Sequence, residues 1–280
     1  MSHEDWIGKT TSREDVITQR LIDSLHVTFA PFCSDSDMPE GVFWCLCPDI
    51  EPASSLGPDG HPMLGKYLPD LGFERRMWAG GDITFHHDLQ PFIPITRQSS
   101  IKSITPKKGR SGEMVFVTIA HHYFQSDRLC IEEIQNLVYR QAVTKSAAPI
   151  RQQDYLADNQ IAHKWTLCPD STMLFRYSAL TFNGHRIHYD KDFSIAHEGH
   201  DGLIIHGPIQ ATLLMSLAQS KGSQKLKHFS YRSTAALTCG HDINVIISKM
   251  RKENNRLMAT GAICDHEGHV TMTATMELVK

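Results

Sequence analysis

Asn183, His185, Arg186, His188 and Asp190 fall within eight positions, inside the run R-Y-S-A-L-T-F-N-G-H-R-I-H-Y-D at residues 176–190. Residues of these types, so close together, suit proton transfer. His188 is the candidate general base, because an imidazole titrates near neutral pH. Asn183 cannot take a proton at pH 7, but its amide can hold a water. A second run, H-G-P-I-Q-A-T-L-L-M-S-L-A at 206–218, reads as a helix that opens on Gly207 and Pro208. The first N–H groups of a helix lack internal partners and carry the positive end of its dipole. Gly207 has no Cβ to stand in front of them, which suits an oxygen that gains negative charge.

Plainer readings exist for the same residues. A histidine can serve only to bond a loop, and an asparagine can be an ordinary turn residue. His185, His188 and Asp190 have a spacing that a metal could use. A chain with 17 His makes such pairs by chance, however, and its seven Cys contain no C-x-x-C. No metal is expected. His86-His87 and His121-His122 read as strand positions that face opposite ways, so neither pair chelates.

The elements that must position these residues follow from periodicity. Residues 10–29 read as a helix, with Ser12 as N-cap and Asp15 three positions on. Residues 30–69 carry seven Pro and several Gly. So long an irregular stretch is expected to line a site. Strand patterns cover 82–89, 95–105, 113–125 and 128–143, with a turn at 109–112. Residues 144–160 read as a linker. A short strand at 162–168, a loop from Tyr177 to Asp190 and the buried 206–218 helix come next. Strands at 226–238, 242–249, 256–265 and 270–279 close the chain. Each half thus ends in a set of antiparallel strands, and V-F-V-T-I-A at 115–120 sits much as L-M-A-T-G-A does at 257–262. The expected class is α+β: two curved antiparallel sheets, each wrapped round a helix. Residues 1–150 form a degenerate first unit and 151–280 a catalytic second unit.

Composition narrows the function. The 280 residues are 41% hydrophobic and 21% charged, with a formal charge of −3. That balance gives no bulk attraction to nucleic acid or to an anionic membrane. No apolar run reaches the ~18 residues of a membrane span. Scattered cysteines and the absence of a signal-like start point to a cytoplasmic protein with reduced thiols.

The run S-A-L-T-F-N-G-H-R-I-H-Y-D resembles the signature S-x-x-[ST]-G-D-x-N-P-x-H of hot-dog enoyl-CoA hydratases. Thr181 matches the hydroxyl position, Asn183 the Asp, His185 the Asn, Arg186 the Pro and His188 the His. The runs R-R-M-W-A-G-G at 75–81, K-K-G-R-S-G at 107–112, L-F-R-Y-S-A-L-T-F-N-G-H-R-I-H-Y-D at 174–190 and H-G-P-I-Q-A-T-L-L at 206–214 narrow the match. Together they are similar to the itaconyl-CoA and mesaconyl-CoA hydratases among the MaoC-like proteins. They are also similar to the mitochondrial 3-hydroxyacyl-thioester dehydratases. The resemblance implies a double hot-dog fold and reversible addition of water to an enoyl thioester. It implies catalysis by His188 and Asn183, the thioester oxygen at Gly207, and substrate contacts at Arg186, Arg76, Arg75, Trp78 and His206. CoA would arrive as part of the substrate, with no separate cofactor, and a homodimer is an open expectation. The expected reaction converts itaconyl-CoA, via or alongside mesaconyl-CoA, to citramalyl-CoA. A dehydratase of fatty-acid synthesis and a thioester-binding protein without turnover are the competing readings.

Overall fold

The structure is a computed structural model that describes residues 3–34, 36–73, 75–109, 112–141, 149–220, 224–254 and 256–279. The first half contains strands β1 (Thr10–Val16), β2 (Arg75–Phe85), β3 (Pro94–Gly109), β4 (Gly112–Gln125) and β5 (Arg128–Arg140), and helix α1 (Gln19–Phe29). After a short β6 (Ile150–Arg151) and α2 (Gln152–Tyr155), the second half begins with β7 (Ile161–Leu167). Helices α3 (Ser171–Thr181), α4 (Lys191–Ala196) and α5 (Gly207–Gln219) follow. Strands β8 (Lys225–Ser233), β9 (Ile243–Ser248), β10 (Arg251–Glu253), β11 (Arg256–Cys264) and β12 (His269–Val279) complete it.

The strands form one sheet in the order β1-β3-β4-β5-β2-β8-β12-β11-β9-β7. Read outward from the β2–β8 junction, both halves begin on their second strand, pass to their last, and finish on the strand that opens the half. The chain is therefore a double hot-dog, two units that share one continuous antiparallel sheet. The units join where Gly80 pairs with Arg232 and Thr84 with His228.

Helix α5 fills the second unit. It has no charged residue along its length, and every residue from Ile209 to Ala218 is buried. Pro208 lies in its first turn, where a missing N–H costs nothing. In the first unit a short 3₁₀ turn, Val42–Cys45, lies over the sheet instead. There Phe43 packs edge-on against Tyr123 and Phe85, and Trp44 meets Trp78 and Tyr231.

Three expectations need correction. Residues 10–16 form an edge strand, not the start of a helix, and pair with β3 from Thr10↔Ser100 to Val16↔Pro94. Their alternating exposure fits a strand. The helix begins only at Gln19, capped by Thr18, which accepts from the Leu21 N–H. Asp15, which resembles a capping residue, accepts from the N–H groups of Val16 and Cys47. Second, the stretch from Tyr177 is loop only after Thr181. Asp170 caps α3 through the Met173 N–H, and α3 ends at Phe182 in the left-handed region, with φ 51°. Third, β2 begins at Arg75 rather than at residue 82, so the R-R-M-W-A-G-G run lies on a strand. Residues 110–111 of the expected turn, 142–143 of the expected strand and 144–148 of the expected linker lie outside the described residues.

Candidate active site

A cavity of about 1300 Å³ is lined from both units. The end of α3 and the loop behind it supply Asn183, His185 and His188. The start of α5 supplies His206 and Gly207, and β2 supplies Arg75, Arg76 and Trp78. The proline-rich segment supplies Asp59 and His61.

His188 sits in the 3₁₀ turn Arg186–His188 and is 7% exposed. Its Nδ1 lies 2.7 Å from the Ile204 carbonyl oxygen. A carbonyl only accepts, so Nδ1 carries the proton and Nε2 keeps its lone pair. Burial pushes the His188 pKa down to about 3, and the Ile204 bond offsets only part of this. The ring is therefore neutral at neutral pH. His206 stacks on it, with centroids 3.5 Å apart and planes 17° from parallel. Its Nε2 lies 2.9 Å from the Ser178 Oγ. Burial, then the charges of His188 and His185, hold His206 well below the ordinary imidazole value.

Asn183 has its Oδ1 committed to the His185 N–H at 3.0 Å, which shapes the loop. Gly207 serves a purpose beyond leaving its N–H clear. A Cβ there would lie 2.1 Å from the Trp78 ring. Trp78 is in turn stacked on Tyr231, with centroids 4.5 Å apart. The glycine thus lets an aromatic wall close against the helix start.

The three candidate arginines have different surroundings. Arg75 donates to the Glu198 carbonyl at 2.6 Å and pairs with its carboxylate at 3.1 Å. Arg186 is turned away from the cavity, contrary to expectation. It bonds Asp190 Oδ2 at 2.7 Å and the Pro58 carbonyl at 3.1 Å, and its guanidinium lies over the Phe193 ring. The i,i+4 carboxylate captures it before a ligand can. Asp190 also caps α4 through the Phe193 N–H, so it joins no metal grouping with His185 and His188. Arg76 lines the cavity beside His61, His185 and Tyr139. Among the described residues it has no carboxylate partner.

Sequence reasoning missed two groups. Asp59 and His61 reach the cavity from the proline-rich segment. Asp59 accepts from the His61 backbone N–H at 3.0 Å, and its other oxygen lies 2.9 Å from His61 Nδ1. The His61 ring packs on His185 with centroids 4.0 Å apart. Burial, then the charges of His61 and His188, pushes His185 down to about 2. One donor atom each from Asp59, His61 and His185 lie within 4.8 Å of one another. Arg76 faces the same point and opposes a cation there. A D-x-H pair inside a segment already expected to line a site was the available signal. The second missed group is Glu133 on β5, 1% exposed, which accepts from the Trp44 indole N–H at 2.9 Å. Burial raises its pKa, and the Trp44 bond opposes this.

The fold is a double hot-dog, and a neutral imidazole faces the cavity beside the start of α5. Residues 41–239 match the family model for hydroxyacyl-thioester dehydratase type 2. The chain is 38% identical to a mesaconyl-C(4)-CoA hydratase of Chloroflexus aurantiacus, over 98% of this chain and 96% of that one. It is 25% identical to the mitochondrial hydroxyacyl-thioester dehydratase type 2 of Schizosaccharomyces pombe, over 84% of this chain and 89% of that one. A solved MaoC-like dehydratase from Phytophthora capsici superposes with a TM-score of 0.71 at 14% identity, covering 100% of this chain and 98% of that one. This chain belongs to the hydroxyacyl-thioester dehydratase type 2 family. Among the described residues no helix is long and apolar enough to cross a membrane.

Proposed function

We propose that the protein adds water reversibly to a short, branched enoyl-CoA that carries a free carboxylate. Mesaconyl-CoA with its thioester at C4 is the foremost substrate, and citramalyl-CoA is its product. The observation that carries this reading is Arg76, a cation on the cavity wall with no carboxylate partner among the described residues. A bound carboxylate would supply that partner bidentately. The relative named for mesaconyl-C(4)-CoA supports the same substrate. So does chemistry. In this ester the alkene is conjugated to the thioester, so charge can move to an oxygen at the Gly207 N–H. In itaconyl-CoA the alkene is conjugated to the free carboxylate instead, and a proton shift to the mesaconyl form must come first.

His188 Nε2 takes a proton from water as the water oxygen bonds to the β-carbon. The alkene electrons move toward the thioester oxygen, which the start of α5 stabilises. Asn183 holds the water through its amide N–H groups, because its oxygen is already committed. Arg76 fixes the carboxylate on the β-carbon and so orients the face that is attacked.

Turnover of mesaconyl-, itaconyl-, crotonyl- and medium-chain enoyl-CoA, followed by mass spectrometry, tests the reading. Arg76→Met should lose about 30–5000-fold more kcat/KM on mesaconyl-CoA than on crotonyl-CoA, from about 2–5 kcal/mol for a truncated charge pair. Arg186→Met should leave that ratio unchanged. Equal losses on both substrates in Arg76→Met would remove the carboxylate clamp. A wild type that prefers medium-chain enoyl thioesters would favour the fatty-acid dehydratase reading.

A further inference from the structure

Residues 58–61 of the first unit dock tightly onto residues 184–186 of the second. The Arg186 N–H donates to the Asp59 carbonyl at 2.9 Å. Gly60 has φ +86°, and a Cβ there would lie 2.0 Å from the Gly184 carbonyl oxygen. A Cβ on Gly184 would lie 2.7 Å from the Gly60 carbonyl oxygen in return. Only two glycines allow the backbones this close. The contact has a chemical result: it sets the Asp59–His61 pair on the cavity wall against His185, which meets His188 edge-on at 5.4 Å.

Asp59 fixes the tautomer of His61. A carboxylate accepts from Nδ1–H, so the second nitrogen, Nε2, is left to exchange a proton with a ligand. Such a group gives the hydration a proton donor separate from the base: water loses one proton to His188, and the α-carbon gains one. Asn183 carries no transferable proton.

We infer that Asp59 and His61 form a second proton-transfer pair of this site, in which His61 protonates the α-carbon and Asp59 positions it. The inference rests on the hydration chemistry proposed above. In balance, water's O–H bond breaks and its proton goes to His188 Nε2 as the C–O bond forms. The alkene pair passes through the enolate and forms the new Cα–H bond with the proton from His61 Nε2. Water in the cavity then returns the proton from His188 to His61, and the enzyme is unchanged.

The groups that face His61 show how it is charged. They are Asp59 from its own segment, Arg76 from β2, and His185 and His188 from the loop. Burial, then Arg76, lowers its pKa, while Asp59 raises it. Asp59 itself is raised by burial, but its hydrogen bonds with His61 outweigh this and hold it ionised. A substrate carboxylate on Arg76 cancels the charge that opposes protonation, so binding draws a proton onto His61.

The test uses the full-length enzyme and variants with wild-type circular dichroism. His61→Gln should lose about 10²–10⁴-fold in kcat with little change in KM. Asp59→Asn should move the alkaline limb of the kcat profile down by about 1–3 pH units. Calorimetry with succinyl-CoA, a saturated dicarboxylic thioester, in two buffers of different ionisation heat should show proton uptake by the wild type and none by His61→Gln. Three results would overturn the inference: a His61→Gln enzyme that keeps most of its kcat, an alkaline limb unmoved in Asp59→Asn, or sub-micromolar zinc binding by the wild type that His61→Gln abolishes. Kinetics are run in parallel on crotonyl-CoA. A wild type that hydrates only crotonyl-CoA refutes the dicarboxylate reading, while the kcat of His61→Gln on crotonyl-CoA still decides the role of His61.

Discussion

The neutral imidazoles that suit this cavity to base chemistry should make the protein sensitive to acid. His121, His188 and His206 are 8%, 7% and 1% exposed. Burial pushes the first two down to about 3 and the third well below its ordinary value. Their folded values therefore lie below the unfolded value of about 6.5. Below that pH the unfolded chain binds more protons than the folded one, so stability falls as pH falls. Between pH 7.5 and 5.5 each group removes about 1.4 kcal/mol, and the three together about 4 kcal/mol. Glu133 acts in the opposite direction. Its folded pKa is raised by burial, so the folded chain takes up that proton first and offsets part of this loss. Against a typical total of about 5–15 kcal/mol this is a large fraction. Urea unfolding followed by tryptophan fluorescence at pH 7.5, 6.5 and 5.5 measures it. His121→Gln, which can keep a bond to the Ser99 hydroxyl now 2.7 Å from His121 Nδ1, should recover about 1.4 kcal/mol of the loss. A stability that stays flat from pH 7.5 to 5.5, or a slope unchanged in His121→Gln, would refute the reasoning.

Two further outcomes concern the loop and the helix start. His188→Ala should lose about 10²–10⁴-fold in kcat on mesaconyl-CoA, and Asn183→Ala less, because one transfers a proton and the other positions water. A folded His188→Ala enzyme that keeps most of its kcat would move the base elsewhere. Gly207→Ala should lower the melting temperature, since the new methyl meets the Trp78 ring and overpacking costs about 1–3 kcal/mol. Wild-type melting in Gly207→Ala would show that the ring has room to retreat.

Much of the site could be read from local sequence. The proximity of Asn183 and His188 in one run, and an uncharged run that opens on Gly-Pro, are features a chain carries without its fold. The long strands of both halves were visible for the same reason. Errors arose where a local signal had two uses. Ser12 and Asp15 resemble a helix start, yet Asp15 bonds the Cys47 N–H, a partner that only the fold brings near. Arg186 looked like a ligand contact because it departs from a family pattern. Its partner Asp190, four residues on, was the stronger local fact. His61 was missed because its meaning depends on His185, which lies in the other unit. Arg75 and Arg76 are neighbours in sequence, and only Glu198, supplied from beyond α4, separates their roles.

The two units repeat one strand order but divide the work between them. In the second, α5 occupies the sheet's concave face and spends its first turn on the cavity. In the first, the span between β1 and β2 forms α1 and then, where the second unit has α5, only the short turn Val42–Cys45 before the proline-rich segment leaves. Phe43 and Trp44 from that turn cover the sheet. What a helix would have filled is left as cavity. The segment that replaces the helix has no regular backbone pairing to satisfy along its length. It is free to cross to the other unit and seat Gly60 on Gly184. A helix in that place would present side chains at fixed 1.5 Å steps and could not bring two backbones together at a pair of glycines. With no counterpart of α5 in the first unit, the segment after the Val42–Cys45 turn lines the cavity and brings the Asp59–His61 pair to it. The price is a core with buried polar groups, Glu133 and His121 among them, whose charged forms burial disfavours. The acid lability argued above and the second proton-transfer pair both arise from polar groups buried along this one cavity.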